Sequence, residues 1–182
     1  TLIDMVAAKA GRDPIDYRLD LLKSGTKREH ERFANVIKVV RDFSGWEKGQ
    51  RRGFAASYTF GTFLAVVADV SVSEKEVHID RMFVAVDCGT AINPDVIKAQ
   101  IEGGIGYGLS AAIYSEINFE NGVVMESNFP NYETMRINQM PKIDVKIVTS
   151  AEAPGGIGEP GTPIAAPALI NALYAKTGQR IT

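Results

Sequence analysis

Cysteine and histidine are nearly missing from this 182-residue chain, which has one cysteine and two histidines. A single Cys88 excludes an internal disulfide, a cysteine-rich zinc cluster and an iron–sulfur site made from the chain's own thiolates. His30 and His78 share no metal-ligand spacing, so no metal is expected to be held directly by the protein. No apolar run reaches the ~18 residues of a membrane span. Neither charge sign dominates: the net charge of −2 gives no electrostatic case for nucleic acid or an anionic membrane surface. There is no initiator Met, and TLIDMVAAKAG reads as mid-helix. The chain is therefore expected to be a fragment or processed product, with compartment left open between bacterial periplasm and cytoplasm.

What is present is enough for one good-sized core, since 45% of residues are hydrophobic. The first fifty residues read as a helical lead-in. Asp13-Pro14 is a cap followed by proline at the first helical position, and that helix ends near Gly25. Phe33, Val36, Ile37, Val39 and Val40 recur at helical spacing between Lys27 and Asp42. Arg51-Arg52-Gly53 marks a break, after which residues 51–182 form the main domain.

Phe54 to Ser71 is β-rich, with TFLAVVADVSV its clearest strand. Val77 to Asp87 alternates, with a slip before Met82, and reads as an antiparallel partner. Asn93-Pro94 opens a long helix to about Tyr114. Glu120-Asn121-Gly122 is a hairpin turn. Lys142 to Thr149 alternates as one more strand, and a last helix follows Thr162. The expected fold class is α+β, a mixed sheet covered by helices.

Two stretches need a further reason. In the long helix, Ile97, Ile101, Ile105, Leu109 and Ile113 form a core stripe, and Gln100, Gly104, Gly108 and Ala112 a smooth stripe beside it. The helix interior holds Gly103, Gly104, Gly106 and Gly108, each costing about 1 kcal/mol against alanine. Either another backbone packs close to that face or a ligand does. The second stretch, GGIGEPGTP from Gly155 to Pro163, presents Glu159 among glycines and prolines just before a helix. It can be a solvated loop or a rigid mount for a general base. A phosphate cradle fits poorly, because the stretch has no P-loop lysine and a carboxylate repels phosphate.

DCGTAINPDVIKAQIEGGIGYGLSAAIY and GGIGEPGTPIAAPALINAL together resemble the C-terminal part of molybdenum hydroxylases, the xanthine oxidase and aldehyde oxidase family. Within it, the likeness is strongest to large (beta) subunits of the isoquinoline 1-oxidoreductase and bacterial aldehyde dehydrogenase type. The resemblance runs from Thr1 to Thr182, and the separation of Gln100 and Glu159 fits the family.

It implies a molybdopterin cofactor, in the cytosine dinucleotide form. It implies Glu159 as the base that takes a proton from the metal's hydroxyl ligand. It implies Gln100 as hydrogen-bond partner of an apical ligand, and Gly156, Ile157 and Gly158 as the backbone lining of the metal side. The implied partners are the upstream part of the same subunit, a small [2Fe–2S] subunit, and an aldehyde or N-heterocycle as substrate. The chain departs from the family at Arg51-Arg52-Gly53 and at Ser57-Tyr58, which touches substrate-side details. An inactive assembly module of the same fold is the alternative function. Of the other polar residues, Arg136 and Asn138 read as a surface loop, Cys88 as a small buried residue, and His78 as solvent-facing or locally satisfied.

Overall fold

The computed structural model describes residues 1–25, 28–73 and 76–181. Its centre is a four-stranded sheet of β1 (Gly53–Thr59), β2 (Thr62–Val72), β3 (Val77–Asp87) and β6 (Lys142–Ile147), in the spatial order β1-β2-β3-β6. β1, β2 and β3 run as an antiparallel meander, and β6 adds parallel to β3. The sheet is therefore mixed, as expected.

The long apolar reading of β2 has a simple cause. Leu64, Val66 and Ala68 enter the core on one face, and Phe63, Ala65 and Val67 enter a second core on the other. Side chains alternate across a strand, so a strand covered on both faces must be apolar throughout. The slip in the β3 alternation is a register shift. Asp69 pairs with Arg81 and Val70 with Ile79, which leaves Asp80 as the extra residue of a bulge.

One face carries α4 (Pro94–Ile113) and α5 (Thr162–Thr177), packed through Ile97, Ile101, Ile105, Leu109, Ile164, Ala168 and Leu169. The other carries α2 (Pro14–Lys23) and α3 (Arg28–Ser44), packed through Ile15, Leu19, Val36, Ile37 and Val40. A short α1 (Leu2–Lys9) lies against α2. The expected helix start at Lys27 lies outside the described residues. The caps form as read: Asp13 Oδ1 accepts from the Ile15 and Asp16 amides at 2.8 and 3.1 Å, and Asn93 Oδ1 accepts from Val96 at 3.1 Å.

A two-stranded hairpin, β4 (Phe119–Glu120) and β5 (Val123–Val124), turns through Asn121 and Gly122, at φ 51° and 81°. Left-handed backbone at both turn positions is the type I′ pattern that Asn-Gly favours.

Two readings need correction or resolution. Ile113 is not in the core stripe but 44% exposed, and Ala111 and Ala112 beside it in the last turn of α4 are exposed as well. The helix glycines serve different ends. A β-carbon on Gly104 would stand 3.2 Å from the Gly161 backbone, and one on Gly108 would collide with the Thr162 carbonyl. These two let α4 and the start of α5 touch backbone to backbone. A β-carbon on Gly106 would press on Met140 Sδ at 3.0 Å. Gly103 alone of the four would meet nothing within 4 Å.

Candidate active site

The open side of Gly103 belongs to a cleft of about 680 Å³, walled by Gln100, Gly103, Gly104 and Tyr107 from α4 and by Thr59 and Phe60 from the tip of β1. Gly158, Glu159, Thr162 and Pro163 close it from the loop that leads into α5. Gln100 and Glu159, fifty-odd residues apart in sequence, thus line one hollow. Gly158 sits between them, placed so that a β-carbon there would be 3.7 Å from Gln100 Nε2. Both polar residues are exposed to that cleft. Among the described residues, neither side chain has a hydrogen-bond or salt-bridge partner.

The loop is held from behind. The Gly156 amide donates to the Phe60 carbonyl at 2.8 Å, and Thr62 Oγ1 donates to the Gly156 carbonyl at 2.7 Å. The Gly155 amide donates to the Cys88 carbonyl at 2.8 Å. A β-carbon on Gly155 would stand 2.8 Å from the Gly61 carbonyl oxygen. Gly155 and Gly156 are therefore required by close approach of the β1–β2 hairpin, and the loop is a tied segment. At its other end the Thr162 amide donates to the Glu159 carbonyl at 2.9 Å, which turns the chain into α5.

The sequence-chosen residues do not all gather there. Gln100, Gly158 and Glu159 line the cleft. Gly156 faces the Phe60 backbone, where a β-carbon would come within 2.8 Å of Phe60 Cβ. Ile157 packs on the core below and lines a separate hollow of about 170 Å³ with Cys88 and Ile97. Gly103 is one of the four helix glycines that ask for a close backbone or a ligand, whereas Phe60 and Tyr107 stand in no pattern of the sequence. The one local signal was Phe60-Gly61 between two strand-like runs. Arg136 and Asn138 are exposed, the first capping and the second within a 3₁₀ turn at Ile137–Gln139, and neither lines this cleft. His78 is exposed and hydrogen-bonds Asp80 at 2.9 Å. Cys88 is buried, and burial pushes its thiol above its usual range.

The profile of the molybdopterin cofactor-binding domain family matches residues 17–141. The chain belongs to that family. This molybdopterin cofactor-binding domain is 34% identical over 190 residues to isoquinoline 1-oxidoreductase subunit beta of Brevundimonas diminuta, covering 100% of the chain and 24% of that relative. It is 30% identical over 205 residues to the membrane-bound aldehyde dehydrogenase [pyrroloquinoline-quinone] of Gluconacetobacter polyoxogenes, covering 98% of the chain and 26% of that relative. The chain thus spans about a quarter of the length of both.

Among solved structures, the reconstituted CO dehydrogenase from Oligotropha carboxidovorans superposes with a TM-score of 0.58 at 24% identity. That match covers 66% of the domain and 16% of the other chain, and it shows a shared fold. The helices and mixed sheet expected from sequence are those of such domains. Among the described residues no helix is long and apolar enough to cross a membrane.

Proposed function

We propose that this domain is the cofactor-binding and proton-accepting part of a molybdopterin-dependent hydroxylase. Its substrate is an aldehyde or N-heterocycle, oxidised with oxygen drawn from water. The observation that carries the reading is the convergence of the Gln100 amide and the Glu159 carboxylate on one glycine-walled cleft, in a chain of this family.

The residues present fit the flat, oxygen-bearing end of the cofactor. Gly103 and Gly158 leave the space that side chains would fill, and Gln100 offers both a donor and an acceptor. Among the described residues the cleft lining holds no lysine or arginine, and contacts to the cofactor's phosphates are assigned to the rest of the subunit. When bound, the cofactor supplies the two-electron redox chemistry, and the protein supplies position and proton transfer.

Within this chain, Glu159 is the general base. Its carboxylate takes up the proton released as a water-derived oxygen becomes nucleophilic, and later returns it to solvent. Gln100 would hold the cofactor through its amide, in the same cleft that Glu159 lines. The hydrogen bonds of Gly156 with Phe60 and Thr62 tie the Glu159 loop to the β1–β2 hairpin, which supports a fixed place for the base. The cytosine dinucleotide form of the cofactor, the upstream part of the subunit and a small [2Fe–2S] subunit that drains the electrons complete the proposal.

The test is Glu159→Gln in the assembled full-length enzyme. Turnover is expected to drop at least ~10²-fold, the low end for loss of a general base, with molybdenum content unchanged. Turnover near that of the parent enzyme removes Glu159 from the mechanism.

A further inference from the structure

The β1–β2 hairpin turns in two residues, Phe60 and Gly61, at φ 55° and 79°. Positive φ at both positions is the type I′ geometry, for which Asn-Gly is the favoured pair. The same chain uses Asn121-Gly122 for the same geometry in the β4–β5 hairpin, at φ 51° and 81°. Phe60 is the exception. A phenylalanine gains no local hydrogen bond in left-handed backbone and carries the full steric penalty of its Cβ.

Nothing on the inner side of the turn calls for the ring. Among the described residues Phe60 is held by its carbonyl, which accepts from Gly156, and by the base of its side chain, Cβ and Cγ, which lies against Gly156. An asparagine supplies both. The residue is left 63% exposed and lines the cleft that Gln100 and Glu159 share. Among the described residues it has no aromatic or cation–π partner. By contrast Tyr58, two residues earlier, stacks on Phe63 at 4.4 Å between centroids. Backbone strain held in place from behind, with the ring free toward a cleft, is the pattern of a ligand contact.

We propose that the Phe60 ring is a stacking face for a planar nitrogen heteroaromatic ring seated in the Gln100–Glu159 cleft. Two sources share that chemistry, the pterin of the cofactor and the ring of an N-heterocyclic substrate. The identity of the second rests on the function proposed above. The stacking itself does not.

Phe60→Asn, with Phe60→Tyr as the conservative variant, tests the proposal in the assembled full-length enzyme. Asn suits the turn better than Phe, so the melting temperature is expected to hold or rise. If the ring meets the substrate, molybdenum content stays the same, and the ratio of kcat/KM for isoquinoline to that for acetaldehyde falls about 5- to 10-fold. Tyr restores it. If the ring meets the pterin, molybdenum per polypeptide falls, both substrates lose rate alike, and Tyr restores the metal.

Unchanged molybdenum with an unchanged ratio overturns the proposal. So does a melting temperature lowered by several degrees, which makes the ring a packing element. Should neither substrate turn over, the proposed function fails, and the Kd of isoquinoline for the same two proteins still decides. A Kd about 5- to 10-fold weaker in Phe60→Asn, or less molybdenum per polypeptide, supports stacking, and an equal Kd with equal molybdenum overturns it.

Discussion

Arg32 and Asp87 form a two-pronged ion pair, with Nε to Oδ2 at 2.9 Å and Nη2 to Oδ1 at 2.7 Å. It joins α3 to the last residue of β3, at the point where the chain leaves the sheet for α4. The Gly89 amide donates to the same carboxylate at 3.0 Å, and the Arg32 guanidinium lies 4.8 Å from the centre of the Phe63 ring. The pair thus fixes the lead-in helices to the sheet edge from which the two site-bearing segments depart.

Arg32→Met strands a buried carboxylate, and the expected cost is about 3–5 kcal/mol, the usual result of removing one partner of a buried pair. Urea denaturation of the protein measures it. Burial by itself would raise the Asp87 carboxyl, but the Arg32 guanidinium and the Gly89 amide outweigh it and hold the carboxyl below its usual range. A group depressed in the folded state stabilises above its unfolded pKa, and that contribution is lost as pH falls through the folded value. The stability gap between parent and Arg32→Met is therefore wide near neutrality and narrows in acid. A gap that does not vary with pH refutes this account.

Two glycines of one helix should respond in opposite directions to alanine. Gly103→Ala puts its methyl in open space and gains helix propensity, up to about 1 kcal/mol. Gly108→Ala drives a methyl into the Thr162 carbonyl and comes 2.8 Å from Ala165 Cβ, for a loss of about 1–3 kcal/mol. Denaturation midpoints of the two variants decide it. Equal effects would mean that the close approach of α4 to α5 is absent in solution.

Gln100 is exposed and unpaired within the described residues, so Gln100→Ala is expected to shift stability by no more than about 0.5 kcal/mol. Its proposed task lies with the cofactor. Molybdenum retained through gel filtration by the assembled enzyme should drop in this variant while the melting temperature holds. Full retention of metal would leave Gln100 without that task.

Much of the architecture could be read before any coordinates. The Asp13 and Asn93 caps, the Asn121-Gly122 turn, the slip in β3 and the α4 stripe as far as Leu109 are local events. Each is set by residues within a few positions of one another. In the candidate site, Glu159 stands out locally as one carboxylate among glycines and prolines and Gln100 as the polar member of the smooth stripe, while the roles proposed for them come from motif resemblance. Phe60 and Tyr107 were not legible, because a lone aromatic residue in a turn or on a helix face carries no periodic signal.

The sequence by itself determined which segments become helices and strands, where they start, and which of their faces are apolar. Backbone sterics and the hydrophobic effect act on a short window, and a short window is enough for that. The tertiary structure alone decided that β6 lies parallel beside β3, that Ile113 overhangs the core, and that Gly104 and Gly108 serve packing while Gly103 opens on a cleft. It also decided that the tip of β1 latches the loop carrying Glu159 and places Phe60 on the wall of the cleft that Gln100 lines. Those outcomes depend on which surfaces meet across the sheet. That is settled by joint packing of distant segments, and no single stretch of chain encodes it.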